Sequence, residues 1–190
     1  MNSRNVIARP IHHETHASGT FRISTRKVLT RPDPRLAIRA VEVDSTDPNT
    51  VALADGLVAT MRVSPACVGL AATQVGEPVR VFCMDVTGHR KARSCAGLVV
   101  LCNPTIVWRS EDVVQREGCM SVPQFTGDVA RAAEVTVEGF EPGTGNLIRV
   151  NADGIEARCL QHEIDHLDGF VFVDRVTDLV NHLFPRKTYA

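Results

Sequence analysis

Two histidines four residues apart, with a glutamate between them, form the most chemically pointed stretch of this 190-residue chain: His162-Glu163-Ile164-Asp165-His166. On a helix, residues four apart lie one above the other on the same face. Both imidazoles can therefore meet one metal ion. Glu163 stands beside them, placed to exchange a proton with a water activated there without binding the metal itself. This is the arrangement of metal-assisted hydrolysis. The alternative for the same residues is a pair of satisfied core histidines with Glu163 bonded nearby. Ile155, Cys159, His162 and His166 are spaced so that the histidines continue an apolar, core-facing stripe.

A catalytic metal site takes a third protein ligand. One common pattern places a histidine at position 172, where this chain has Phe172, although Gly169 does match that pattern. Another uses a glutamate downstream, and no glutamate follows Glu163. The third ligand is therefore sought upstream. The best candidate is Cys119, in Glu117-Gly118-Cys119-Met120-Ser121, because a thiolate binds iron or zinc strongly and Gly118 allows close backbone approach. Without the helix motif, Cys119 reads as a small buried core residue. Gly69-Leu70-Ala71-Ala72-Thr73-Gln74 is the remaining feature. Its small residues let another chain lie close, and the Gln74 amide is both donor and acceptor. The alternative there is a tight turn with Gln74 exposed.

The elements that position these residues are partly readable. Asp47 and Pro48 predict the start of a helix carrying Val51, Ala54, Leu57, Val58 and Met61 as its apolar stripe, ended by Ser64-Pro65. Val79–Val86 predicts a strand, with Leu98–Leu101 and Thr105–Trp108 as further pieces around a basic loop at 88–97. Val135 and Val137 alternate with polar residues, and a turn signal at 141–146 predicts a hairpin with Leu147–Val150. A helix from about Asp153 to Leu167 follows, with Asp153 and Glu156 spaced as a capping box and Gly169 as its left-handed stop. Phe170–Val173 reads as strand-like, and Asp178–Phe184 as a short helical tail ending at Pro185.

Length and composition favour one globular domain with a core that needs no disulfides: 44% of residues are hydrophobic and 23% charged. A net charge of −1 gives no bulk attraction for nucleic acid or membrane. Six cysteines without a C-x-x-C pair, and no apolar leader, point to reduced thiols and a cytoplasmic location. Residues 1–26, with His12, His13 and His16, read as a flexible extension; a basic, acid-poor stretch of this kind also fits a transit peptide. The expected catalytic domain is 27–178, followed by a short tail at 179–190.

Together the three segments resemble the peptide deformylase family, whose pattern runs G-φ-G-φ-A-A-x-Q, then E-G-C-φ-S, then H-E-x-D-H. Here they read Cys67-Val-Gly-Leu-Ala-Ala-Thr-Gln74, Glu117-Gly-Cys-Met-Ser121 and His162-Glu-Ile-Asp-His166, in matching order and spacing. Flanking stretches agree too: Leu29 to Leu36, Ser121-Val-Pro123 with Arg131, Leu167-Asp-Gly169, and Asp174-Arg175.

The resemblance implies an α+β fold of mixed or antiparallel sheets around a central metal-binding helix. It implies Fe²⁺ as native metal, with Zn²⁺, Ni²⁺ or Co²⁺ as substitutes, held by Cys119, His162 and His166. Glu163 would be the acid/base, with Gln74 and the Met120 N–H facing the developing oxyanion. Val68, Gly69 and Leu70 would run along the substrate, Gly69 holding it through its backbone. Ile155, Cys159 and the His162 ring would line a methionine pocket. The implied reaction removes the formyl group from N-formylmethionyl nascent peptides, with the ribosome as a transient partner and either a monomer or a homodimer.

Other readings are a zinc endopeptidase, or a deformylase-like protein that binds nascent chains or inhibitors without turnover. The chain departs from the pattern in three places. Cys67 replaces the first glycine, putting a larger, oxidisable side chain at the cleft mouth. Gln124 stands where relatives commonly carry glycine. The tail is short and broken at Pro185, where some relatives carry a long C-terminal helix that docks on the ribosome.

Overall fold

The computed structural model describes residues 24–186. The expected N-terminal extension therefore lies almost wholly outside the described residues, as does the end of the tail. Arg26 at its edge is tied down: its N–H donates to Thr60 Oγ1 (2.8 Å) and its guanidinium pairs with Glu77 (2.7 Å).

Helix α1 (Pro48–Val63) begins as its chemistry dictates. The Asp47 carboxylate accepts from the Asn49 N–H, and Pro48 sits where no amide hydrogen is needed. Its stripe buries Ala54, Leu57, Val58 and Met61, joined by Leu53, while Val51 is only partly covered. The strands follow in chain order: β1 (Gly69–Ala71), β2 (Val81–Met84), β3 (Val99–Arg109), β4 (Asp112–Cys119), β5 (Val122–Ala132), β6 (Glu134–Phe140) and β7 (Leu147–Asp153). Then come helix α2 (Gly154–Leu167), the single turn α3 (Leu179–His182) and β8 (Leu183–Pro185).

All strand pairs are antiparallel, in a five-stranded sheet ordered β1-β2-β3-β6-β7 and a three-stranded sheet ordered β4-β5-β8. Strand alternation gives the large sheet two apolar faces. Phe82 and Met84 of β2 join Leu101, Val135, Val137 and Val150 against Leu160, Ile164 and Leu167 of α2. Val81 and Cys83 point the other way, onto Leu53, Leu57 and Met61 of α1. The small sheet has its own core of Val122, Val129, Val171, Phe172 and Val176. Helix α2 packs against both the large sheet and β5, so residues 156–167 are buried apart from His162, whose side chain is 12% exposed.

Several local expectations change. The two pieces around Pro104 are one strand, β3, with register shifts between Cys102 and Thr105 and between Ile106 and Trp108. Proline has no ladder donor, so the strand bulges there. Asn103 takes a left-handed conformation and brackets Val43 with both side-chain atoms. The hairpin β4–β5 carries no clear alternation in sequence, because residues 112–116 are all exposed. Phe170–Val173 is not a strand: residues 172–175 form a 3₁₀ turn in which Asp174 accepts from the Val171 N–H. The helical tail is a single turn capped by Asp178, after which β8 adds to the edge of β5. Gly169 does stop α2 in the left-handed region (φ 84°).

The capping box does not close. Asp153 makes no side-chain cap to α2, and its carboxylate instead accepts from the Ser94 N–H (3.0 Å). Fully buried Glu156 accepts from Ser94 Oγ (2.6 Å) and the Ala96 N–H (2.7 Å). The two acids clamp the loop before β3 onto the helix. Replacing Glu156 by Ala is expected to destabilise the protein by about 2 kcal/mol, the cost of stranding buried donors. Urea unfolding measures it; an unchanged midpoint would show that the clamp contributes nothing.

Candidate metal centre and active-site cleft

Three elements converge on one point. Helix α2 supplies His162 and His166, their rings edge to face with centroids 4.8 Å apart. The end of β4 supplies buried Cys119, whose Sγ lies 3.2 Å from His166 Nε2. One ligand atom from each residue falls within 4.8 Å of the others. A soft thiolate and two imidazoles so placed could hold a metal ion, in the three-ligand arrangement that leaves a position open, and the donor set suits iron or zinc. The three residues brought together are the three that the motifs single out as candidate ligands.

The charges around these ligands are also arranged. Glu117, two residues before Cys119, turns inward with it, as strand alternation requires. Its carboxylate lies 2.9 Å from His162 Nδ1, which orients the ring and leaves Nε2 free to face the cluster. It also accepts from Arg131 (2.9 and 3.1 Å) and Arg158 (3.0 Å). Burial by itself raises the Glu117 pKa, but the bonds from His162 and Arg131 bring it down to about 2. Arg131 bonds onward to Asp165, and Asp165 accepts from Arg175 (2.6 and 3.1 Å). Burial also pushes the Cys119 thiol up, yet His166 and His162 hold it well below the ordinary thiol range. It is therefore a ready thiolate ligand.

Gln74 is buried, not exposed. Its Oε1 accepts from the Ala71 N–H (2.9 Å), which orients the amide, and Nε2 faces Cys119 Sγ (3.4 Å) and Ser121 Oγ (3.1 Å). Glu163 is buried, and its Oε2 has no hydrogen-bond partner. Burial pushes its pKa up to about 7, against the opposing pull of His162 and His166. A bare carboxylate oxygen beside the ligand cluster fits a group that handles a proton of water or substrate. Gly69 is required here: a Cβ would strike the Glu163 carboxylate and lie 2.8 Å from Cys159 Sγ.

The cleft over these atoms has a volume of about 180 Å³. Val68, Gly69, Met120, Ile155 and Cys159 line it, as does the His162 ring. Leu70 does not. Strand alternation turns its side chain away from Gly69 and into the core against α1, where it is fully buried. Cys67 lines the cleft and donates its thiol to the Gly69 carbonyl (3.1 Å). Burial, reinforced by Glu163, pushes that thiol up to about 12. Burial thus favours the protonated thiol, which serves Cys67 as a donor to that carbonyl.

Comparison with known proteins agrees with this geometry. The family model described as polypeptide deformylase matches residues 25–182. This chain belongs to the polypeptide deformylase family. A peptide deformylase from Methylocella silvestris is 41% identical over 155 residues, covering 81% of this chain and 78% of that protein. The crystal structure of the Ehrlichia chaffeensis peptide deformylase in complex with actinonin superposes with a TM-score of 0.76 at 36% identity, covering 83% of this chain and 91% of the other. A Met-Ala-Ser-bound class I type b peptide deformylase from Acinetobacter baumannii gives 0.73 at 32%, covering 82% and 100%. The α+β deformylase fold expected from the motifs is the fold observed.

Within this deformylase framework, Glu117, Arg131, Arg158, Asp165 and Arg175 received no role from the motif reading, although Glu117 and Asp165 lie inside the motifs. The available signal was an acid two residues before a ligand cysteine and another one residue before a ligand histidine. Charged residues there require buried partners. Replacing Glu117 by Gln is expected to weaken metal binding about 10–100-fold by loosening the His162 ring. Competition for Zn²⁺ against a chromophoric chelator measures it. Equal affinity in variant and parent would remove Glu117 from the site.

Proposed function

We propose that this deformylase removes the formyl group from the N-terminal formylmethionine of new polypeptides, with a metal ion held by Cys119, His162 and His166. The observation that carries the reading is the ligand cluster with the unpartnered Glu163 oxygen beside it, facing Gly69. The donor set fits Fe²⁺ as the native ion, with Zn²⁺, Ni²⁺ and Co²⁺ as substitutes. When bound, the metal supplies Lewis-acid chemistry, acidifying water and polarising a carbonyl oxygen.

The chain's own residues do the rest. Glu163 takes a proton from the attacking water and returns it to the nitrogen as the C–N bond breaks, releasing formate and a free amino terminus. Gln74 Nε2 donates one hydrogen to Ser121 Oγ (3.1 Å), and its other makes only a long contact to Cys119 Sγ (3.4 Å). A carbonyl oxygen gaining charge is a better acceptor for that hydrogen, and the Met120 N–H at the cleft wall is its second donor. Ile155, Cys159 and the His162 ring form the apolar wall for the methionine side chain. The backbone of Val68 and Gly69 holds the peptide. The Met-Ala-Ser complex of the Acinetobacter baumannii relative supports a short peptide as occupant. No helix among the described residues is long and apolar enough to cross a membrane. The proposed working place is the cytoplasm, in transient contact with the ribosome.

Anaerobic Fe²⁺-loaded protein is expected to release formate from formyl-Met-Ala-Ser without cleaving internal peptide bonds. Glu163→Ala is expected to keep its metal and lose about 10²–10⁴-fold in rate. Well-folded, metal-loaded protein that yields no formate would falsify the reading, and cleavage of internal bonds would favour an endopeptidase. Cys67→Gly frees the Gly69 carbonyl for the substrate backbone and is expected to lower KM about two- to five-fold, the effect of one modest hydrogen bond. Steady-state kinetics in which neither KM nor inhibitor affinity moves would show Cys67 to be a bystander.

A further inference from the structure

The outer lip of the cleft is built from arginines. Along β4, Glu117 and Cys119 point inward while Arg116 and Gly118 face out. The space that a side chain at Gly118 would fill is taken by the guanidinium of Arg186; a Cβ there would run into it. Arg186 is thus packed on the residue next to the ligand thiol, although it comes from the far end of the described chain. Strand β8 puts it there: the Arg186 N–H donates to the Gln124 carbonyl (2.8 Å), and β8 pairs with β5. Two residues earlier, the Phe184 ring lies under the Arg116 guanidinium at 3.5 Å, pinning the strand to β4.

The charge at this lip is unbalanced. Arg116, Arg158 and Arg186 line the cleft, against Glu117 and Glu163. Arg116 is paired with Asp128 (2.6 Å). Arg158 shares Glu117 (3.0 Å), and its buried Nε has no partner. Glu117 is already engaged by His162 and two arginines. Among the described residues, no carboxylate pairs with exposed Arg186. Ile155 and Cys159 line the same cleft as Gly118 and Arg186, so a peptide with its methionine side chain at the first pair and its chain directed along β4 would pass this guanidinium. An extended chain advances about 3.3 Å per residue, so its next two residues fall within reach of a long arginine side chain.

We propose that Arg186 is a specificity-determining residue of the cleft, receiving a carboxylate on the second or third residue of the formylmethionyl peptide. The proposal rests on the deformylase reading and deepens it. The natural source of the carboxylate is an acidic side chain of the nascent chain; the free terminus of a short peptide has the same chemistry.

The test compares kcat/KM for amidated peptides, formyl-Met-Asp-Ala and formyl-Met-Ala-Asp against their Asn counterparts, with formyl-Met-Ala-Ala as acid and amide. The parent enzyme is expected to favour Asp over Asn about three-fold at low salt, the scale of an exposed ion pair, with the effect lying in KM and shrinking as salt rises. Arg186→Ala is expected to bring that ratio to one, Arg186→Lys to retain part of it, and Arg186→Glu to invert it. Parent ratios near one, or an Arg186→Ala ratio equal to the parent's, would overturn the proposal. So would a preference confined to the free terminus, since a growing chain presents none. Formate release from formyl-Met-Ala-Ser by the parent is scored separately, so failure of the deformylase reading is not confused with failure of this one.

Discussion

The site depends on one buried carboxylate. Glu117 sits on β4, the strand that carries Cys119, and reaches His162 on α2 and Arg131 on β5. It joins the thiolate-bearing strand to the imidazole-bearing helix, elements that come from two different sheets' cores. Burying a charge is costly unless it is paired and hydrogen-bonded. Here the carboxylate accepts from one imidazole and two guanidinia, and that demand fixes where β4, β5 and α2 sit relative to one another.

The same demand explains an unusual helix. A helix enclosed on all sides is ordinarily apolar all round, yet α2 buries Glu156, Arg158, Gln161, Glu163, Asp165 and His166. Almost every one is answered by a different part of the chain. Glu156 takes the 94–96 loop, and Gln161 brackets the Ala132 backbone with both amide atoms (3.0 Å each). Asp165 takes Arg131 and Arg175, and Thr73 Oγ1 donates to the His166 carbonyl (3.0 Å). Three buried atoms of the set have no partner, Arg158 Nε, Glu163 Oε2 and His166 Nδ1, and Arg158 and Glu163 line the cleft. Glu163 Oε2 is the one carboxylate oxygen among them, an acceptor beside the His162–His166–Cys119 cluster that is left open to water or substrate.

Close approach is the second constraint. Gly69 lets β1 press against Glu163 and Cys159, and Gly118 lets Arg186 press against β4. Each glycine belongs to a motif; a side chain at Gly69 would collide with the buried Glu163 carboxylate, and one at Gly118 would displace the Arg186 guanidinium. Cys67 uses the remaining room at the mouth, holding the Gly69 carbonyl with a thiol that burial keeps protonated. The cleft of this chain is therefore narrower and more cationic than its three motifs alone convey.

What the sequence determined by itself is the chemistry. Helical spacing sets His162 and His166 on one face, the absence of a downstream histidine or glutamate at the usual places turns the search to Cys119, and the Asp47-Pro48 and Gly169 signals bound the helices. Local geometry failed where long-range partners compete. Asp153 and Glu156 have capping spacing but bond to the 94–96 loop, since that loop lies buried against them. Leu70 is a motif residue but a core one, because alternation turns it from the cleft. The tail's apolar residues become a strand because β5 offers an unpaired edge. The Glu117 network and the place of Arg186 over Gly118 join residues far apart in the chain. Only the tertiary structure decides them, because burial and partner geometry do not exist until the sheets have closed around α2.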